Sequence, residues 1–181
     1  MSTAGAEALP HFHFPPPLDC GPDECWLLIA RSLGRASTSR DRSKVSAILA
    51  WRDERILAGV CDQFPSSVNP SPARQSDPQL RAGMHLDAEA AMLAHAARHG
   101  ICLNGCTCYV WPRLTNAAGA ALLIAAGCIR IVEPEVPIPG RCLADRQMTR
   151  EMAAESGVLL HQVPISPAPF DAVSAMGSDF R

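Results

Sequence analysis

Residues 87–111 read DAEAAMLAHAARHGICLNGCTCYVW, and this stretch decides the fold. Ala88 to His99 is rich in alanine and predicts a helix, with Gly100 placed to close it in the left-handed conformation. A short connection, Ile101 to Gly105, follows. Cys106 to Trp111 then combines small, β-branched and aromatic residues, which predicts a buried strand. A helix feeding directly into an apolar strand is the repeating piece of an α/β protein.

Working outward, the same piece recurs. Asn116 to Ala126 predicts a second alanine-rich helix ended by Gly127, and Ile129 to Val132 a further strand. Pro134, Pro137 and Pro139 break the chain beyond that strand. Asp145 suits the cap of a last helix, with Met148 and Met152 one turn apart and Gly157 at its end, before a last strand over Val158 to Val163. Upstream, Val45 to Trp51 and Arg55 to Val60 flank the turn Arg52-Asp53-Glu54 and predict a hairpin. Pro22-Asp23-Glu24 starts a first helix, with Trp26, Ile29, Ala30 and Leu33 at helical spacing and an end near Gly34. Ser37 to Ser43 is polar and reads as a loop. The proline-rich segment Phe64 to Pro78 is expected to be neither helix nor central strand, and a loop of that length is usually functional or mobile. The order predicts an α/β fold: a three-layer α/β/α sandwich around a mixed sheet of about five strands. The domain spans 22–163, between an extended proline-rich arm over 1–21 and a tail over 164–181.

Composition sets bounds. The chain has 181 residues, enough for one domain, with 48% apolar and 19% charged residues, so it is globular. A net charge of −2 without a basic block argues against nucleic acid or an anionic membrane as partner. No segment is apolar over the roughly 20 residues that span a bilayer, and Met1 to Pro17 lacks the features of a secretory signal. A cytoplasmic location is therefore expected, and the eight cysteines are read as free thiols.

Three stretches carry a family resemblance. RDRSKVSAILAWRDERILAGVCDQFPSSV (40–68) resembles the opening hairpin and following loop of the zinc-dependent cytidine and deoxycytidylate deaminases. DAEAAMLAHAARHGICLNGCTCYVW resembles their metal-bearing helix and third strand, and AAGCIRIVEPE (125–135) their fourth strand. The resemblance implies hydrolytic deamination by a zinc-bound hydroxide. The metal is held by one His and two Cys, and a non-ligating Glu shuttles protons. The family signature is His-x-Glu on one helix and Pro-Cys-x-x-Cys at the start of the next. Here an ungapped count back from Ala96 to Gly100 puts Asp87 on the ligand position and Glu89 on the shuttle position. A two-residue insertion would instead put His85 and Asp87 there. The ungapped count is preferred because an insertion inside a short helix turns its buried face. The thiolate positions fall on Asn116 and Gly119 counting back from Gly127, or on Leu114 and Ala117 counting forward from Trp111-Pro112. Neither count meets a cysteine, so no metal or other cofactor is expected. Where the family often has Asn-Gly-Phe-Pro, with the Asn on the nucleotide sugar, this chain has Asp62-Gln63-Phe64-Pro65; a carboxylate there would repel a phosphate.

The candidate site therefore comprises Glu89, Asp87 and His85 for chemistry and Asp62, Phe64 and Asn116 for ligand contact. It is expected as a pocket roofed by residues 61–84 and floored by Asp87, Glu89 and Asn116. The expected function is a deaminase-like protein without zinc-dependent hydrolysis, binding a planar heterocycle or nucleotide, or a partner protein. The alternative is an active deaminase with an unusual or metal-free site, and a third reading is a module paired with an active paralogue. The resemblance also implies a homo-oligomer, dimer or larger. Glu89 is either a general base or a carboxylate favoured by the helix dipole.

Other residues invite the same chemistry. Cys106 and Cys108 share one face of their strand and with Cys102 and His99 could gather a metal, but read better as buried thiols. His11, His13, Cys20 and Cys25 are metal-like in composition, yet their spacing fits no zinc module, and an arm packing through Phe12 and Phe14 is the simpler reading. Trp51 and Trp111 could stack on a ring, though strand-end tryptophans more often plug a core.

Overall fold

In the computed structural model, the described residues are 21–35, 47–112 and 114–165. The elements are α1 (Pro22–Arg35), β1 (Ala47–Arg52), β2 (Arg55–Cys61), α2 (Pro72–Ser76), α3 (Pro78–Met84), α4 (Ala88–His99), β3 (Thr107–Trp111), α5 (Ala117–Ala125), β4 (Arg130–Pro134), α6 (Leu143–Ser156) and β5 (Leu159–Val163). Asp53 and Glu54 both adopt positive φ, 51° and 60°, the two left-handed residues that match a tight hairpin to the strand twist. β1 and β2 pair antiparallel from Ala47 opposite Cys61 to Arg52 opposite Arg55. The other edge of β1 pairs antiparallel with β3. From there each return passes through a helix, so β3, β4 and β5 run parallel. The result is one five-stranded mixed sheet in the order β2-β1-β3-β4-β5.

Side-chain alternation sends each strand to two layers. Cys108 and Val110 of β3 and Ile131 of β4 join Met92 and Ala96 of α4, Leu123 of α5 and Ala153 of α6 in one core. Tyr109 and Val132 point the other way, onto Leu27 and Ala30 of α1, with Trp26, Trp51 and Trp111 packed at the margin. Helices thus cover both faces, and the predicted three-layer sandwich is the observed one. Asp23 of α1 ties its layer to the sheet. Its carboxylate accepts from Arg130 at 2.8 and 2.5 Å and from the Tyr109 hydroxyl at 3.0 Å.

Several expectations need correction. Residues 64–78 are not wholly irregular, because α2 and the start of α3 lie there. Proline is excluded from a helix interior but not from its first turn. Pro72 and Pro78 each open a helix. Ser71 accepts from the Arg74 N–H, and Asp77 accepts from the N–H groups of Gln79 and Leu80. Pro134 ends β4 rather than breaking the chain after it, and its ring is fully buried. Asp145 does not cap α6, which starts two residues earlier after Cys142; its carboxylate turns to another helix. Cys25 is disulfide-bonded, contrary to the expectation of free thiols, whereas Cys61, Cys102, Cys106, Cys108, Cys128 and Cys142 are free. His11, His13, Cys20, Phe12 and Phe14 of the arm, the loop over 37–43, and the tail beyond 165 lie outside the described residues. No helix among the described residues is long and apolar enough to cross a membrane.

Candidate functional site

The N-termini of α4 and α5 meet at one end of the sheet, each presenting backbone N–H groups without helical partners. At α5, side chains satisfy two of these. Asn116 caps the helix, its Oδ1 accepting from the Gly119 N–H at 2.7 Å. Asp145 reaches across from α6 and accepts from the Ala117 N–H with both oxygens at 3.2 Å. At α4 the N-cap residue is Asp87, whose side chain makes no capping bond.

Glu89, in the first turn of α4, is 6% exposed. Its carboxyl lies directly against the α5 backbone at Gly119. A Cβ built on Gly119 would stand 2.9 Å from Glu89 Cδ and 3.0 Å from its Cγ and Oε1. Only a residue without a side chain leaves room for the carboxyl here. Burial raises the Glu89 pKa above the ordinary carboxylate range, against the pull of its own backbone N–H. The charges of Asp87, Glu133 and Asp62 push it further the same way. These acids therefore share one electrostatic neighbourhood.

Behind them sits a buried ion pair. Glu133, fully buried on β4, accepts from Arg146 of α6 at 3.1 and 2.6 Å and from the Thr115 N–H at 2.6 Å. The bidentate fork fixes Glu133, and Glu133 fixes the turn that delivers Asn116 to the head of α5. Beside this turn opens a cavity of about 520 Å³ whose wall includes Pro112, Leu114, Asn116, Pro137, Arg141 and Asp145.

The predicted residues divide across this region. Asn116 lines the cavity, but Asp62, Phe64, His85, Asp87 and Glu89 do not. This cavity lies beside the loop after β4. The start of the 61–84 segment is tied to the residue that precedes the Asp87 cap of α4. Gln63 and Leu86 exchange backbone hydrogen bonds of 3.1 and 2.8 Å. Phe64 is buried, and its ring meets that of His85 edge to face at 5.2 Å. His85 ends α3. Sequence reasoning did not reach Glu133, Arg146 or the role of Gly119. A lone acid in the apolar run of β4 was the available signal for the first.

The cysteine reading changes in membership. Cys106 and Cys108 are buried with their Sγ atoms 3.6 Å apart, but Cys102 and His99 are exposed, and His99 stacks on His95 at 4.5 Å. Among the described residues the third buried sulfur beside the pair is that of Cys128. Trp51 packs 6.2 Å from Trp26, and Trp111 lies under the Arg31 guanidinium at 5.4 Å, so both tryptophans close the α1 core.

No family model and no curated protein matches the chain. Solved structures do. The dCMP deaminase of the cyanophage S-TIM5 in its apo form superposes with a TM-score of 0.56 at 16% identity, over 83% of this chain and all of that one. The same enzyme in complex with dCMP and dUMP gives 0.58 at 16% identity over the same shares. The fold is cytidine deaminase-like. At this identity the likeness speaks for the backbone path alone.

Proposed function

We propose that this chain is a deaminase-like protein that has given up zinc-dependent hydrolysis and uses its cavity to bind a small planar heterocycle or nucleotide, alone or as a partner subunit. The observation that carries this reading is the seat of Glu89. In the count back from Gly127, Gly119 occupies a thiolate position, and the space its side chain would need is filled by the Glu89 carboxyl. The other two ligand positions support the same reading. The Asn116 amide oxygen is engaged by the Gly119 N–H, and Asp87 offers one hard carboxylate. A carboxylate, an occupied amide and a bare backbone do not fit a soft tetrahedral ion that takes imidazole and thiolates.

The remaining groups suit binding. The Asn116 and Asp145 side chains and the Arg141 guanidinium supply polar contacts around an apolar wall of prolines and Leu114. Asp62 would disfavour a phosphate near β2, so an anionic group is better met by Arg141 at the cavity wall.

The test combines metal analysis of the purified chain with ammonia release from cytidine, deoxycytidylate and guanine. The expected outcome is no zinc dependent on Asp87 and no ammonia. Stoichiometric zinc that disappears in Asp87→Ala would overturn the proposal. A second reading, metal-free deamination, draws on the raised Glu89 pKa, which suits an acid–base group that holds its proton longer than an ordinary carboxyl. Ammonia release abolished by Glu89→Gln, with no metal bound, would replace the first reading with this one.

A further inference from the structure

We propose that Cys106, Cys108 and Cys128 form a buried three-sulfur site for a soft monovalent cation, chemically copper(I). The site is separate from the α4–α5 end and does not rest on the reading given for it.

Three observations carry it. All three side chains are almost wholly buried, at 0%, 0% and 3% exposure. Their sulfurs lie within 4.8 Å of one another, those of Cys106 and Cys108 at 3.6 Å. A metal–thiolate bond of about 2.3 Å in a planar three-coordinate centre needs sulfurs about 4.0 Å apart, so only small rotamer adjustments would close the triangle. The third observation is the surroundings. Leu103, Leu123, Ile131 and Val158 belong to the same core, and no fourth ligand of the His, Cys, Asp or Glu type joins the cluster among the described residues. Zinc usually completes a tetrahedron with a fourth protein ligand or water. Three soft donors in a dry apolar site favour copper(I) instead.

The backbone holds the sulfurs in place. Cys106 and Cys108 share a face of the chain entering β3, and Cys128 follows α5 at the mouth of β4. Gly127 fixes that mouth. Its φ is +85°, and a Cβ there would fall 2.5 Å from Asn104 Oδ1. The Ile129 N–H donates to the Cys106 carbonyl at 3.0 Å, and the Gly105 N–H to the Gly127 carbonyl at 2.8 Å, stitching the two turns together.

In the resting protein, the Cys106 and Cys108 Sγ atoms are 3.6 Å apart, one thiol donating to the other. The Cys128 Sγ lies 3.0 Å from the Arg130 carbonyl, which only a thiol can approach as a donor. We take the thiol as the resting form, because an anion that close to a carbonyl oxygen in an apolar core is repelled. Loading therefore replaces S–H protons, which leave to solvent as sulfur–copper bonds form, and copper keeps its oxidation state. Affinity rises with pH.

The test titrates the metal-free full chain anaerobically with copper(I) against a copper(I) chelator. It expects one copper per chain, three sulfur ligands by X-ray absorption, and tighter uptake as pH rises. Cys108→Ser and Cys128→Ser are expected to lose high-affinity uptake, and Cys61→Ser to keep it. The idea fails if the wild-type chain takes up no copper, if uptake survives Cys128→Ser, or if zinc(II) is preferred. Should the serine variants not fold by circular dichroism, the wild-type sulfur count decides, and fewer than three sulfurs overturns the assignment. None of these outcomes bears on Asp87-dependent zinc, so the two proposals stand or fall apart.

Discussion

Gly119→Ala is the substitution that interrogates the seat of Glu89. Gly119 lies in the first turn of α5, after its Asn116 cap. In a helix, Gly→Ala ordinarily stabilises by about 0.5–1 kcal/mol. Here the new methyl would stand 2.9 Å from Glu89 Cδ and 3.0 Å from Cγ. Overpacking in a filled interior costs about 1–3 kcal/mol; a glutamate is flexible and can give way in part, so we take about 1–2 kcal/mol. The net expectation in the wild-type background is a loss of about 0–1.5 kcal/mol. In a Glu89→Ala background the obstacle is gone, and the same change should stabilise by about 0.5–1 kcal/mol. The coupling between the two positions is then about 1–2 kcal/mol. Urea unfolding of the four proteins measures it. If Gly119→Ala has the same effect in both backgrounds, Glu89 does not occupy the space assigned to it, and the reading of the site loses its main support.

Two further outcomes are expected in the same region. Burial raises the folded-state pKa of Glu89, so its ionisation opposes folding as pH climbs from its unfolded value through its folded one. Glu89→Gln should therefore gain stability relative to the wild type as pH rises above the ordinary glutamate value of about 4.3, and unfolding curves that keep a constant gap would refute this. Arg146→Met leaves the buried Glu133 carboxylate without its partner and should cost about 3–5 kcal/mol. Adding Glu133→Gln should recover most of that loss, since the amide oxygen can still accept from Thr115, and a double variant no more stable than the single would count against the pairing.

The fold was legible because its signals are local. The Asp-Glu turn between Trp51 and Ile56, the alanine-rich run closed by Gly100, and the apolar strand after it each declare themselves within a few residues. Proline is where local reading misleads. Pro72 and Pro78 rule out helix interiors, and the chain uses them at helix starts. The site was harder. That Glu89 and Asn116 sit at helix starts was legible from their spacing. Nothing in the sequence said that Arg146 would pair with Glu133, or that Asp145 would cap α5 rather than its own helix.

The residues alone were enough to give the order of the five strands and the four longer helices α1, α4, α5 and α6, and to show that neither an imidazole nor a thiol stands at Asp87, Asn116 and Gly119, because periodicity, turn chemistry and residue identity are written along the chain. Only the tertiary structure decided that Glu89 fills the gap at Gly119, that the cavity opens beside the loop after β4, and that Cys128 joins Cys106 and Cys108. Those are facts of distance between segments far apart in sequence. Which side chains meet there is set by how parallel strands and their crossover helices pack, and no single segment carries that information.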